Sequence, residues 1–189
     1  MDRSKLPSFS KKAARSGEPL VFGIDPGYDR MGVAFLRQEK GKEVLVYSHC
    51  LESKRSDSFL ERLLFLGKEV SYLIEKWKPD CIAIEKLFFV TNQKTASQVS
   101  EVRGMLLYIA ACHGYQNRVY EYTPLEIKTT VAGFGRAEKK QVALMVNRIT
   151  GFDPKKAKDD EVDAIAVAIT CLARDAKNRL LSTQKNKGY

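Results

Sequence analysis

Four acidic side chains carry the chemistry that this sequence offers. Asp25 ends the apolar run Val21-Phe22-Gly23-Ile24, and Glu85 ends a second one, Cys81-Ile82-Ala83-Ile84. Such runs read as strands buried on both faces. A carboxylate at the end of one points at a fixed spot above the sheet rather than into bulk water. Glu85, directly after Ile-Ala-Ile, also needs something to offset its charge, because desolvation is costly. Asp160 and Asp163 stand three apart at the start of a late helical pattern, which makes them neighbours on one face. Like charges at that spacing are unfavourable unless a cation bridges them. Asp163 leads into Ala164-Ile165-Ala166-Val167-Ala168-Ile169, a stretch apolar enough to bury the helix. Together the four would form an oxygen-rich pocket of the kind that holds Mg²⁺ or Mn²⁺. Two such ions suit phosphodiester cleavage, because they clamp the attacking and leaving oxygens.

Plainer readings stand beside this one. Asp25-Pro26-Gly27 is good turn chemistry in its own right. Glu85 would also be accounted for by an exposed strand end or a lysine partner. Asp159, Asp160 and Glu161 would serve as an acidic first turn, which the helix dipole favours. Phe88 and Phe89, just beyond Glu85, suit either core padding or base stacking beside a site.

The elements that must position these residues follow in order. Leu20 to Asp25, Gly32 to Arg37 and Val44 to Cys50 read as three strands of an antiparallel meander. Apolar residues at helical spacing predict a helix from Asp57 to Trp77, ended by Pro79-Asp80. Cys81 to Glu85 follows as a strand parallel to the first. Phe88 to Gln93 reads as a loop, Thr95 to His113 as a helix and Arg118 to Tyr122 as a fifth strand. Thr123-Pro124 marks a helix start, which Gly133-Phe134-Gly135 ends. Helices are predicted at Ala137–Ile149 and Asp160–Leu181. The order β β β α β α β α α α gives an α/β, ribonuclease H-like layout: a mixed five-stranded sheet flanked by helices. We expect one nuclease domain over 20–181, a basic arm over 1–19 and a polar basic tail over 182–189.

The charge is unevenly placed. The net charge is +9 over 189 residues, of which residues 1–19 carry +3 and residues 174–189 carry +4. Within the body, 128–158 holds eight basic residues against two acids, including Lys128, Arg136, Lys139 and Lys140. Basic tails and an internal basic patch fit nucleic acid, where Lys and Arg replace condensed counterions. The Gly-Phe-Gly break would let backbone amides approach a phosphate, although no Gly-Lys-Ser/Thr follows to make a P-loop. No apolar run approaches the ~20 residues of a membrane span, and the first residues lack the apolar centre of a signal peptide. The expectation is a cytoplasmic protein with no membrane partner. The four cysteines share no metal spacing and read as buried thiols. His49 and His113 form no metal motif.

At these residues the chain resembles the RuvC family of Holliday-junction resolvases. The matching stretches are Gly23-Ile24-Asp25-Pro26-Gly27, Ala83-Ile84-Glu85, Phe88, Asn92, Arg103-Gly104, Lys128, Ala137-Glu138-Lys139 with Gln141-Val142, and Asp160 through Asp163-Ala164. The resemblance implies that Asp25, Glu85, Asp160 and Asp163 are catalytic, metal-binding carboxylates holding two Mg²⁺, or Mn²⁺ in their place. It implies DNA contacts by Phe88, Asn92, Arg103, Lys128, Lys139 and Lys140. The expected partners are four-way junction DNA, a second copy of the chain in a homodimer, and a branch-migration motor complex. The arm over 1–19 and Glu161, often a small residue in relatives, depart from the family pattern. Three rival readings share some of these features: another ribonuclease H-like nuclease cutting RNA–DNA hybrids, a non-cutting junction-binding scaffold, and an actin-like ATPase, which needs two lobes.

Overall fold

The computed structural model describes residues 19–86 and 93–176. Strand β1 (Leu20–Asp25) is the axis of the sheet. It pairs antiparallel with β2 (Arg30–Glu39), which pairs antiparallel with β3 (Lys42–Glu52). On its other edge it pairs parallel with β4 (Cys81–Glu85), and β4 with β5 (Val119–Tyr122). The sheet order is β3-β2-β1-β4-β5, the ribonuclease H-like arrangement expected. Strands β2 and β3 extend beyond the apolar runs. Lys40 and Gly41 both take positive φ, 50° and 80°, making a two-residue hairpin that matches the strand twist and lets pairing continue to the turn.

Helix α1 (Phe59–Trp77) starts two residues later than expected, because Ser58 caps it and Glu61 completes a capping box. It is followed by α2 (Gln93–Cys112) and α3 (Pro124–Ala132), the latter capped by Thr123 as predicted. Helix α4 (Lys139–Thr150) begins after Glu138, which bonds with Gln141 across the first turn. Helix α5 (Asp159–Cys171) runs into a π-helical turn over Leu172–Ala176. The predicted continuation to Leu181, the arm over 1–18, the tail over 182–189, and Phe88 and Asn92 lie outside the described residues.

Period-two alternation divides the core. Phe22, Ile24, Met31, Val33 and Phe35 face α1 and α2. Val21, Ala34, Leu36, Cys81 and Ala83 face α3, α4 and α5. By the same alternation Gly23, Asp25, Arg30, Gly32 and Glu85 point toward the α5 side.

Helix α5 lies almost directly on β1 and β2. A Cβ on Gly32 would sit 1.7 Å from the Asp160 carbonyl oxygen, and one on Gly23 would sit 2.4 Å from that of Ala164. Gly104, on α2, has no neighbour within 4 Å. Gly32→Ala should therefore cost at least about 2 kcal/mol by overpacking. Gly104→Ala should gain up to about 1 kcal/mol from helix propensity. Urea titration of both variants checks the pair; equal stabilities would mean that α5 does not lie against β2 in this way.

Candidate active site

The parallel register places Ile24 beside Ile84, so Asp25 and Glu85 are adjacent at the same ends of neighbouring strands. Both face α5, whose first two turns bring in Asp160 and Asp163. All four sequence-predicted carboxylates therefore gather at one place.

Their electrostatics show how crowded the place is. Burial, then the charges of Glu85, Asp163 and Asp160, hold the Asp25 carboxyl well above the usual range. Glu85 is pushed up to about 7 by burial and by Asp163, with Lys139 and Lys128 pulling the other way. Asp25 and Glu85 are hydrogen-bonded to each other. Two carboxyls can do that only by sharing a proton. Burial also raises Asp163, against the opposing pull of Lys139.

Two cations balance the helical pair. Lys139 Nζ lies 3.1 Å from Asp163 Oδ2, and Arg30 Nε lies 3.1 Å from Asp160 Oδ2. Burial lowers the Lys139 pKa, but Asp163, Asp159 and Asp25 outweigh it and raise it overall. The ammonium thus stays charged while remaining 70% exposed at the rim.

Strand β3 holds the start of α5 from the side. Ser48 Oγ donates to Glu161 Oε1 at 2.6 Å, Cys50 Sγ lies 3.9 Å from Asp160 Oδ2, and Glu52 pairs with Lys158. Ser48, Cys50 and Glu52 alternate along one strand and meet successive parts of the same helix end. Glu161 is thereby turned to β3, and Asp160 and Asp163 remain the helical pair.

The predicted DNA-contacting residues fare differently. Lys128 and Lys139 lie close enough to Glu85 to depress its pKa. Lys140 is exposed at the start of α4. The Arg103 guanidinium is bound to Glu121, Nε to Oε1 at 2.6 Å and Nη2 to Oε2 at 2.8 Å, tying α2 to β5. Arg30 was not foreseen. Its signal was present in the strand, since it lies two positions before Gly32 and so shares the face that α5 covers.

Four carboxylates with too few cations are a hard-oxygen donor set suited to divalent metal. Among the described residues, no three His, Cys, Asp or Glu side chains form a ready-made metal cage. Asp163 and Asp160 are engaged by Lys139 and Arg30, so a divalent ion would take over charge that these two now balance. The donor chemistry fits; the ion pairs are what it would displace. Among the described residues, no helix is long and apolar enough to cross a membrane.

Comparison with known proteins agrees with this geometry. The family model for "Crossover junction endodeoxyribonuclease RuvC" matches residues 21–171. A curated relative of that name from Ruminiclostridium cellulolyticum is 41% identical over 150 residues, covering 79% of this chain and 89% of its own length. One from Petrotoga mobilis is 38% identical over 171 residues, covering 90% of this chain and 99% of its own length. Among solved structures, Thermus thermophilus RuvC in complex with a Holliday junction substrate superposes with a TM-score of 0.74 at 29% identity, covering 80% of this chain and 92% of its own. The yeast mitochondrial Holliday junction resolvase shares the fold, with a TM-score of 0.60 at 17% identity, covering 88% and 82% of the two chains.

The raised carboxyls set a pH dependence. A carboxyl whose pKa is higher folded than unfolded stabilises the protein fully below the unfolded value, and that contribution is lost as pH rises through the folded value. For Glu85 the window runs from about 4.5 to about 7. In EDTA the wild type should lose stability to urea across this window. Glu85→Gln should flatten the loss and be the more stable protein at pH 8. Equal slopes for the two proteins would show that burial and the neighbouring Asp163 do not raise the Glu85 carboxyl.

Proposed function

The chain belongs to the RuvC family of crossover junction endodeoxyribonucleases, and from that premise we propose that it resolves four-way (Holliday) DNA junctions in recombination and repair. It is a structure-selective endonuclease that hydrolyses phosphodiester bonds in pairs and leaves 5′-phosphate ends. The observation that carries this reading is the meeting of Asp25 and Glu85 on adjacent parallel strands with Asp160 and Asp163 on α5.

Those four carboxylates would hold divalent cations, two Mg²⁺ in our reading, with Mn²⁺ as the alternative. Bound there, such ions would supply activation of a water and stabilisation of the leaving oxygen. The residues of the chain do the rest. The carboxylates fix where positive charge sits at the strand ends. Lys139, charged and at the rim, and Lys128, near Glu85, face the phosphate whose negative charge grows in the transition state. Water attacks phosphorus, the bond to the 3′-oxygen breaks, and that oxygen takes up a proton.

Around this centre, Lys140 and the other basic residues of 128–158 neutralise flanking phosphates. Phe88 meets the opened junction centre, and Asn92 contacts the DNA. Arg103 contributes to DNA from its anchored position on Glu121. A two-fold substrate calls for two active sites related by a two-fold axis, so the working unit is a homodimer. A branch-migration motor presents the junction. Residues 20–181 form the nuclease domain, with the basic segments 1–19 and 182–189 adding affinity for DNA, and the protein works in the cytoplasm. A chain that sediments as a monomer both free and on the junction would refute the dimer.

The decisive experiment is a nicking assay on a synthetic four-way junction with Mg²⁺, beside a linear duplex and an RNA–DNA hybrid. Wild type should make symmetric, ligatable nicks in the junction. Glu85→Gln should bind it and lose at least about 10³-fold in cleavage rate, a loss of the order seen when an essential charged group is removed. Cutting by Glu85→Gln at near wild-type rate would overturn the mechanism. Cleavage of the hybrid alone would move the chain to the hybrid-cutting branch of the fold, and tight junction binding without any cutting would mark a scaffold.

A further inference from the structure

A cavity of about 550 Å³ opens beside the carboxylates, within the range of about 300–1,000 Å³ typical of small-ligand sites. Asp160 belongs both to its wall and to the catalytic set. Tyr28, Arg30, Ser53, Arg55 and Val99 line it too, together with two further acids, Asp29 and Glu52.

The charges in this cavity are not evenly matched. Its acids have partners: Asp29 pairs with Arg62, Glu52 with Lys158, and Asp160 with Arg30. Arg62 and Lys158 neutralise two acids from outside the lining, which leaves the lining itself with a surplus cation. That cation is Arg55. Its carbonyl accepts from Arg62 Nη2 at 2.6 Å, but among the described residues its exposed guanidinium has no acidic partner. Arg30 is half exposed and touches Asp160 through Nε. Tyr28 adds an aromatic wall: its ring is braced edge-on by Phe59 with centroids 6.0 Å apart, and its carbonyl accepts from Ser53 Oγ at 2.7 Å.

Two guanidiniums and an aromatic ring in a cavity of this size are the recognition chemistry of a nucleotide. The guanidinium fork suits a phosphate, and a phenol ring suits a base. Because Asp160 is common to both places, a strand with its scissile phosphate at the carboxylates has an adjoining unit at the cavity. We propose that this cavity is a subsite for the nucleotide next to the scissile phosphate on the cleaved strand, with Arg30 and Arg55 on its phosphate and Tyr28 against its base. The subsite rests on the nuclease reading above. It gives Arg30 two anions to serve, Asp160 and the strand.

The test pairs protein variants with altered junctions. Each junction carries one neutral methylphosphonate, on one side or the other of the cleavage point, or an abasic site at the adjoining nucleotide. Wild type, Arg55→Ala, Arg55→Lys and Tyr28→Ala are compared by gel shift in Ca²⁺ and by cutting in Mg²⁺, after thermal melts confirm folding. One of the two neutral linkages should weaken wild type roughly tenfold, the scale of a hydrogen bond to a charged group. It should weaken Arg55→Ala clearly less, since only Arg30 then faces that phosphate, and the salt slope of this variant should fall by about 1. Arg55→Lys should recover part of the loss, and Tyr28→Ala should lose sensitivity to the abasic site. If Arg55→Ala stays as sensitive to the neutral linkage as wild type, or if neither linkage matters to wild type, the subsite is wrong. A wild type that binds but cuts nothing would overturn the nuclease reading instead, while the Ca²⁺ binding comparison would still decide the subsite.

Discussion

The closeness of α5 to the sheet is the constraint on which everything else depends. Packed helices and sheets normally stand about 8–10 Å from their neighbours because side chains fill the gap. Here Gly23 and Gly32 supply no side chain, and Ala164 and Ala168 supply small ones. The helix backbone drops onto β1 and β2, and its first turns come within reach of the strand ends. With ordinary residues at 23 and 32, Asp160 and Asp163 would be lifted away from Asp25 and Glu85. The glycines on the strands thus fix the geometry of the acids on the helix.

Lateral position is set separately. The parallel register of β1 and β4 puts two carboxylates side by side. The antiparallel edge then grips the helix from the other direction, since Ser48, Cys50 and Glu52 meet Glu161, Asp160 and Lys158. Arg30 opposes Glu52 across the β2–β3 ladder and reaches Asp160 from the same face. The mixed sheet therefore gives the site two functions on two sides: parallel strands supply the acids, and antiparallel strands hold the helix that completes them.

Much of this was legible because the signals were local. The continuous apolar runs marked β1 and β4, and a carboxylate at the end of each is visible by inspection. Thr123-Pro124 carried its own cap chemistry, and the apolar run after Asp163 announced a buried helix. What could not be read was register and reach. Nothing near Arg30 in the sequence points to Asp160, 130 positions away, although alternation from Gly32 gives its face. Glu161 looked like a third helical acid until its bond to Ser48 showed it turned away. The resemblance gives Arg103 as a DNA contact, and its ion pair with Glu121 could not be read because that partner is on another element. Strand lengths are underestimated because the outermost residues of β2 and β3, Arg30, Gln38, Glu39, Lys42, Glu43 and Glu52, are polar and held by ladder pairing, which also hides the buried Met31 and Leu51 just inside them.

The assembled site opposes its own assembly. Burying these acids beside one another raises Asp25, Glu85 and Asp163, first through lost hydration and then through their mutual repulsion, and a shift such as that of Glu85 corresponds to a few kcal/mol at most. The apolar side of α5 supplies the opposing term. From Ala164 to Cys171 every residue of α5 is buried, including Ile165, Val167 and Ile169. Each such branched side chain contributes about 1.5–3 kcal/mol, so these three alone outweigh the cost at Glu85. Lys139, Arg30 and the shared proton remove part of the rest. All three compensators are exchangeable: a proton leaves as pH rises, and each cation holds its acid by a single close contact. The apolar part of α5 thus makes the site permanent, while the charge balance at its first turns stays open to whatever positive charge the reaction brings.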